Sequence, residues 1–216
     1  FFAVFSSMLS WDWLMSIDTH WFSTLYGWYV FSGMWVTSMI VAVITALWLK
    51  SKGYLPKVNE SHIHDLGKWM FGISMLWAYL WFSQFMLIWY ADIPEEVKYF
   101  QERIMANDHY MIIYMSMFFV NFLVPFYFLM SRESKRNPTF LAIVGAIIFV
   151  AHFLDVYMLV IPGTVFNHFH GMKLYEWGMF IGFLGLFIHV LLRSLTKAPL
   201  VPKNHPLLGE SEHHHI

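Results

Sequence analysis

The chain contains no cysteine among its 216 residues. That excludes thiolate zinc sites, iron–sulfur ligation, haem attachment through Cys-x-x-Cys-His, disulfides and a cysteine nucleophile within this chain. Charge is nearly as scarce. Only 12% of residues are Asp, Glu, Lys or Arg, against roughly a quarter in soluble domains. A chain so poor in polar groups cannot cover a water-facing surface, and 58% hydrophobic content rules out disorder. The formal net charge of −1 leaves no footprint for nucleic acid or for an acidic partner. Apolar and aromatic residues remain, with 22 Phe, 11 Trp and 11 Tyr, and the expectation is an all-α integral membrane protein, a polytopic transmembrane helix bundle.

Apolar runs cover residues 1–15, 24–49, 69–90, 110–130, 138–161 and 174–195. A span needs about 20 apolar residues, so the first run is too short to cross alone. It opens on Phe, without a basic n-region or a cleavage site, and is not read as a signal peptide. Five full spans plus a partial first span follow, as the C-terminal part of a longer chain. Residues 1–195 form the bundle and residues 196–216 a flexible cytoplasmic C-terminal tail. Asn137-Pro138 reads as a helix start and Pro162-Gly163 as the end of the same helix. Asn107-Asp108 sits where a cap precedes the next span, and Asn121 with Pro125 marks a kink or an interhelical bond.

Of the 13 Lys and Arg residues, ten lie in the 50–68 segment, the 132–136 turn and the tail, and only Lys98, Arg103 and Lys173 in the alternate connections. That alternation puts the tail and the Lys50 and Arg132 loops in the cytoplasm. In the outward connection, Pro94 can start a short surface helix, with Glu95 and Glu96 in its first turn and Val97, Phe100 and Ile104 on one face.

Ionisable groups at membrane depth are costly and are the default functional candidates. His152 and Asp155 lie three apart on one span, about 14 Å and about 9 Å below its outer end. An acid beside an imidazole can hold or pass a proton; the alternative is a hydrogen-bonded pair tying helices together. Gln84, Asp108, His109 and Glu176 reach the same outer level and could share an outer-facing polar pocket. Each also has a structural role, Asp108 as a cap and Glu176 at a helix N-terminus, while Asp18 and His20 read as solvated. On the inner side His62, His64 and Asp65 form a candidate proton entrance, with Asp65 read as the N-cap of the next span. Bis-histidine haem is disfavoured, because His152 and His189 sit at unequal depths, about 21 Å and about 9 Å from the inner ends of their helices. No metal site is expected.

The stretch 62–68, His-Ile-His-Asp-Leu-Gly-Lys, and the stretch 77–96, Trp-Ala-Tyr-Leu-Trp-Phe-Ser-Gln-Phe-Met-Leu-Ile-Trp-Tyr-Ala-Asp-Ile-Pro-Glu-Glu, resemble the polysulfide-reductase/NrfD-type integral membrane subunits of bacterial alternative complex III. The span with His152, Asp155 and Ile161-Pro-Gly, and the ending Glu210-Ser-Glu-His-His-His-Ile216, look most like the ActF-type members. The resemblance implies a subunit of a quinol:cytochrome c oxidoreductase in a bacterial inner membrane. Menaquinol or ubiquinol would be oxidised there, and electrons would pass through partner iron–sulfur and multihaem cytochrome c subunits to cytochrome c or a terminal oxidase. It implies an ActC-like sister membrane subunit and structural lipids as neighbours, with haem and iron–sulfur in the partners and no redox centre in this chain. His152 and Asp155 are then the candidates for a proton path or quinone pocket. Two other readings stand beside it: a structural, lipid-binding scaffold, and a secondary transporter, for which inverted repeats are expected and none is seen.

Overall fold

The computed structural model describes residues 1–105, 108–165, 173–201 and 205–214, and over these the chain is helical without a strand. The elements in order are α1 (Phe2–Leu9), a π-helical turn (Ser10–Leu14), a 3-10 turn (Met15–Ile17), α2 (Leu25–Ser51), α3 (Glu60–Ala91), α4 (Pro94–Ile104), α5 (Asp108–Leu129), α6 (Arg132–Arg136), α7 (Pro138–Val165), α8 (Leu174–Leu195) and α9 (Leu208–Glu212). Five of them, α2, α3, α5, α7 and α8, are long and apolar enough to cross a membrane. Helices α2, α3, α5 and α7 pack as a closed four-helix ring, each against two of the others. α8 stands beside this ring and touches α7 through Phe153, whose ring lies 4.3 Å from Phe180. Asn107 lies outside the described residues.

Local chemistry moves two helix boundaries away from the sequence expectation. α3 starts at Glu60, not at Asp65: the Asn59 side chain accepts from His62 N at 3.1 Å, and His62 Nδ1 accepts from Asn59 N at 3.2 Å. This reciprocal cap satisfies two backbone donors a full turn earlier and leaves Asp65 inside the helix. α7 in turn does not stop at Pro162 but continues to Val165. A proline inside a helix deprives the carbonyl four residues back of its N–H. That carbonyl belongs to Met158, and Arg103 Nε donates to it at 3.2 Å. Elsewhere Asn137 caps α7 as expected, accepting from Phe140 N at 3.1 Å. The surface helix α4 also forms over the anticipated residues.

Lys135 shows that not every basic loop residue is a free charge. Its ammonium donates to the carbonyls of Leu129 at 2.7 Å and Met130 at 3.0 Å, closing the last turn of α5. Burial, with Lys68 nearby, holds its pKa below the ordinary lysine value. Gly67 on α3 permits this fold-back, since a Cβ there would meet Lys135 Cβ at 3.1 Å.

The core divides into two layers. Towards α4 it is built from Tyr26, Tyr29, Trp77, Trp81, Tyr99 and Tyr114 with their neighbours. Towards α6 it is aliphatic, with Val36, Ile40, Met70, Leu129, Leu141 and Ile148. The first layer marks the α4 end of the bundle and the second its basic end.

Candidate functional site

His152 and Asp155 both lie in the core, each 4% exposed, on the face of α7 that meets α2 and α3. α2 brings the Tyr29 hydroxyl, which donates to Asp155 Oδ1 in a short contact. α3 brings the Trp77 indole, whose Nε1 donates to Asp155 Oδ2 at 3.2 Å. His152 Nδ1 stands 3.8 Å from the same oxygen, and its ring meets Trp77 edge-on with centroids 5.1 Å apart. Gly33 lets the helices close here, because a Cβ would reach within 3.4 Å of Trp77 and 3.8 Å of His152. A buried carboxylate needs donors in place of water, and this one has an O–H, an N–H and an adjacent imidazole. His152 Nε2 is buried without a partner among the described residues. The site can therefore hold a proton on either the acid or the imidazole and pass it one helical turn along α7.

Sequence reasoning missed the buried cation that meets α7 at Met158, three residues beyond Asp155. Arg103 is 0% exposed. Besides Met158, it donates to the Tyr99 carbonyl at 3.1 Å and to Asp18 Oδ2 at 2.9 Å. Its guanidinium lies 3.5 Å over the Tyr99 ring, which is itself stacked on Trp21 at 3.9 Å. Burial alone would pull the Arg103 pKa down; Tyr99 and Asp18 outweigh it and hold the value above ordinary. Burial also pushes the Tyr99 hydroxyl up to about 12, so it stays an un-ionised donor near neutrality. Asp18 is consequently an ion-paired residue, not the solvated one expected, because Arg103 swings inward under it. Only Pro162, four residues beyond an otherwise ordinary Met158, could have signalled that a donor was needed at this point.

The remaining outer candidates do not assemble into one pocket. Gln84 is buried on α3 about two turns beyond Trp77, with Oε1 unpartnered among the described residues. Asp108 and His109 are exposed at the start of α5. Glu176 serves its own helix: its Oε2 accepts from Lys173 N at 2.7 Å at the start of α8. Asn121 is 0% exposed on α5, and neither polar atom of its side chain has a partner among the described residues.

At the basic end the three inner candidates also separate. His62 belongs to the α3 cap and contacts Ser211 Oγ at 3.1 Å, while His64 is buried two residues further on. Asp65 pairs with Lys68 at 2.6 Å and with His214 Nε2 at 2.9 Å. The tail is not loose over residues 205–214. It lies along the start of α3, with Lys57 paired to Glu212 and Asn59 Nδ2 donating to the His214 carbonyl at 2.8 Å. Among the described residues no three His, Asp or Glu side chains are grouped to hold a metal ion.

No protein-family model matches the chain, and no curated protein matches it.

Proposed function

We propose that this chain is an ActF-like integral subunit of a quinol:cytochrome c oxidoreductase of the alternative complex III type. It would sit in a bacterial cytoplasmic membrane with its C-terminus inside and the α4 end outside. The single observation that carries the reading is an Asp155 carboxylate buried at span depth and held by Tyr29 and Trp77, with His152 Nε2 left open one turn away. Ionisable groups are kept at such depth where they work. The carboxylate is closed in by Tyr29, Trp77 and His152, so a quinol ring would have to displace one of them, whereas a proton would not. The role assigned is therefore proton handling, with quinol chemistry and electron transfer left to an ActC-like subunit and the iron–sulfur and multihaem partners. Asp155→Asn keeps the shape of the side chain and removes its acid. It should lower proton-coupled turnover of the purified complex at least tenfold while the subunits still co-purify. Unchanged turnover and unchanged proton stoichiometry would overturn the assignment.

A second reading, a lipid-binding scaffold, is favoured by the apolar groove between α2, α7 and α8, lined by Val41, Ile44, Phe149, Phe183 and Phe187. It predicts that Asp155→Asn is silent and that bulky substitutions in the groove dissociate the assembly.

A further inference from the structure

The outer surface at the α4 end carries a cleft lined by Asp18, His20, Glu95, Lys98, Tyr99 and Glu102, with Gly163 at its edge. Directly beneath it lies Arg103, with no exposed surface of its own. Asp18 belongs to both: it faces the cleft and accepts from Arg103 Nη2 at 2.9 Å. Tyr26 is buried beside Trp21, with ring centroids 5.5 Å apart. Three elements meet at one guanidinium, namely the loop after the 3-10 turn through Asp18, α4 through the Tyr99 carbonyl, and α7 through the Met158 carbonyl. Met158 and Asp155 are three apart on α7, so the group that pins this carbonyl also fixes the turn bearing the acid.

We propose that Arg103 is the positioning residue of the Asp155 site, and that the Arg103–Asp18 ion pair is the barrier separating Asp155 from the outer cleft. This rests on Asp155 being the working acid, and it adds what controls access to it. The planar guanidinium suits the place because it serves an oxygen in each of three elements at once, which a lysine ammonium on a flexible stem cannot do with the same geometry. Gly163 supplies the clearance: a Cβ there would stand 2.8 Å from Ile17 Cγ2 and 2.9 Å from Asp18 Oδ1. A side chain at 163 therefore forces Ile17 and Asp18 to give way and disturbs the seat of the Arg103 ion pair without removing a charge.

The test is chemical access. The full-length protein, purified in detergent with its co-purifying subunits, is treated with a water-soluble carbodiimide and glycine ethyl ester, and amide formation is read by peptide mass spectrometry. In the unaltered protein Glu95 and Glu102 should label and Asp155 should not. Arg103→Gln and Gly163→Ala should each raise Asp155 labelling at least tenfold relative to Glu102, and Arg103→Lys should restore part of the protection. Gly163→Ala keeps the test open if Arg103→Gln fails to fold. Asp155 labelling as fast as Glu102 in the unaltered protein would overturn the proposal, as would an unlabelled Asp155 in folded Gly163→Ala. Labelling reports access and not turnover, so a silent Asp155→Asn would sink the proton role without touching this result.

Discussion

At the α4 end the core is rich in rings that carry hydroxyls and indole N–H groups; at the basic end its buried hydrophobic side chains are aliphatic chains and methionine. The difference decides where charge can live. Asp155 finds donors from Tyr29 and Trp77, and Arg103 finds acceptors in two carbonyls and Asp18. In the other layer Ser74 turns back on its own helix, donating to the Met70 carbonyl at 2.8 Å. Twelve residues of α3 separate His64 from Trp77, about 20 Å of helix whose buried side joins the aliphatic cluster through Met70 and Ile73. The inner candidates His64 and Asp65 are therefore insulated from Asp155 in this conformation. Among the described residues the polar groups that hold Asp155 and Arg103 lie at the α4 end, and the proposed cover of Arg103 is on that side.

That contrast can be tested by damaging each layer in its own currency, and the aliphatic layer should give the larger loss of stability. Met70 is fully buried, and its sulfur would lie 3.7 Å from a Cβ on Gly145, so its side chain reaches from α3 across the centre of the ring to α7. Met70→Ala leaves a void that close helix packing cannot fill, and should cost about 2 kcal/mol or more. The measurement is thermal unfolding in detergent, with Asp155-dependent turnover retained in whatever fraction stays folded. A loss below about 0.5 kcal/mol would mean that the layer is looser than its contacts imply.

Tyr29→Phe attacks the other layer and removes one hydroxyl with little change of shape. A hydrogen bond to a charged group contributes about 1.5–3 kcal/mol when only one partner is removed. The expected loss of stability sits at the lower part of that range, because Trp77 still donates to the carboxylate. Its larger signature is functional: with one donor fewer the carboxylate of Asp155 is held less firmly, so turnover should fall further than the loss of stability alone explains. Combining Tyr29→Phe with Met70→Ala sharpens the comparison. Sites without shared partners add to within about 0.5 kcal/mol, and non-additivity beyond that would show that the two layers communicate.

The class of fold and the five spans were legible because hydrophobic run length is a direct consequence of bilayer thickness. His152 and Asp155 were legible for the same reason, since a charge within a span stands out from an apolar background. Their partners were not. Tyr29 and Trp77 look like ordinary aromatic packing until α2 and α3 are placed against α7, and nothing local marks them. Arg103 was hidden by its position in a surface connection, where a basic residue reads as solvated. The end of α7 was misplaced because the rule for proline is local, while the donor that rescues the Met158 carbonyl comes from 55 residues away. The cap of α3 went to Asn59 because backbone donors are satisfied by whichever side chain reaches them first.

The smallest effect is expected at the tail, where the basic end meets water. His214→Ala removes the 2.9 Å contact to Asp65, but both side chains are more than a third exposed and Asp65 keeps Lys68 at 2.6 Å. Pairs of this kind contribute between about 0 and 1 kcal/mol, so thermal stability should move by no more than about 2–4 °C. The change should surface in local opening instead. Amide exchange over residues 205–214 should quicken, while exchange in α3 beyond its first turn stays as it was, because the α3 cap depends on Asn59 and His62 and not on the tail. Should exchange spread along α3 towards Trp77, the aliphatic layer would be transmitting between the ends, and the insulation of Asp155 from the basic end would fail with it.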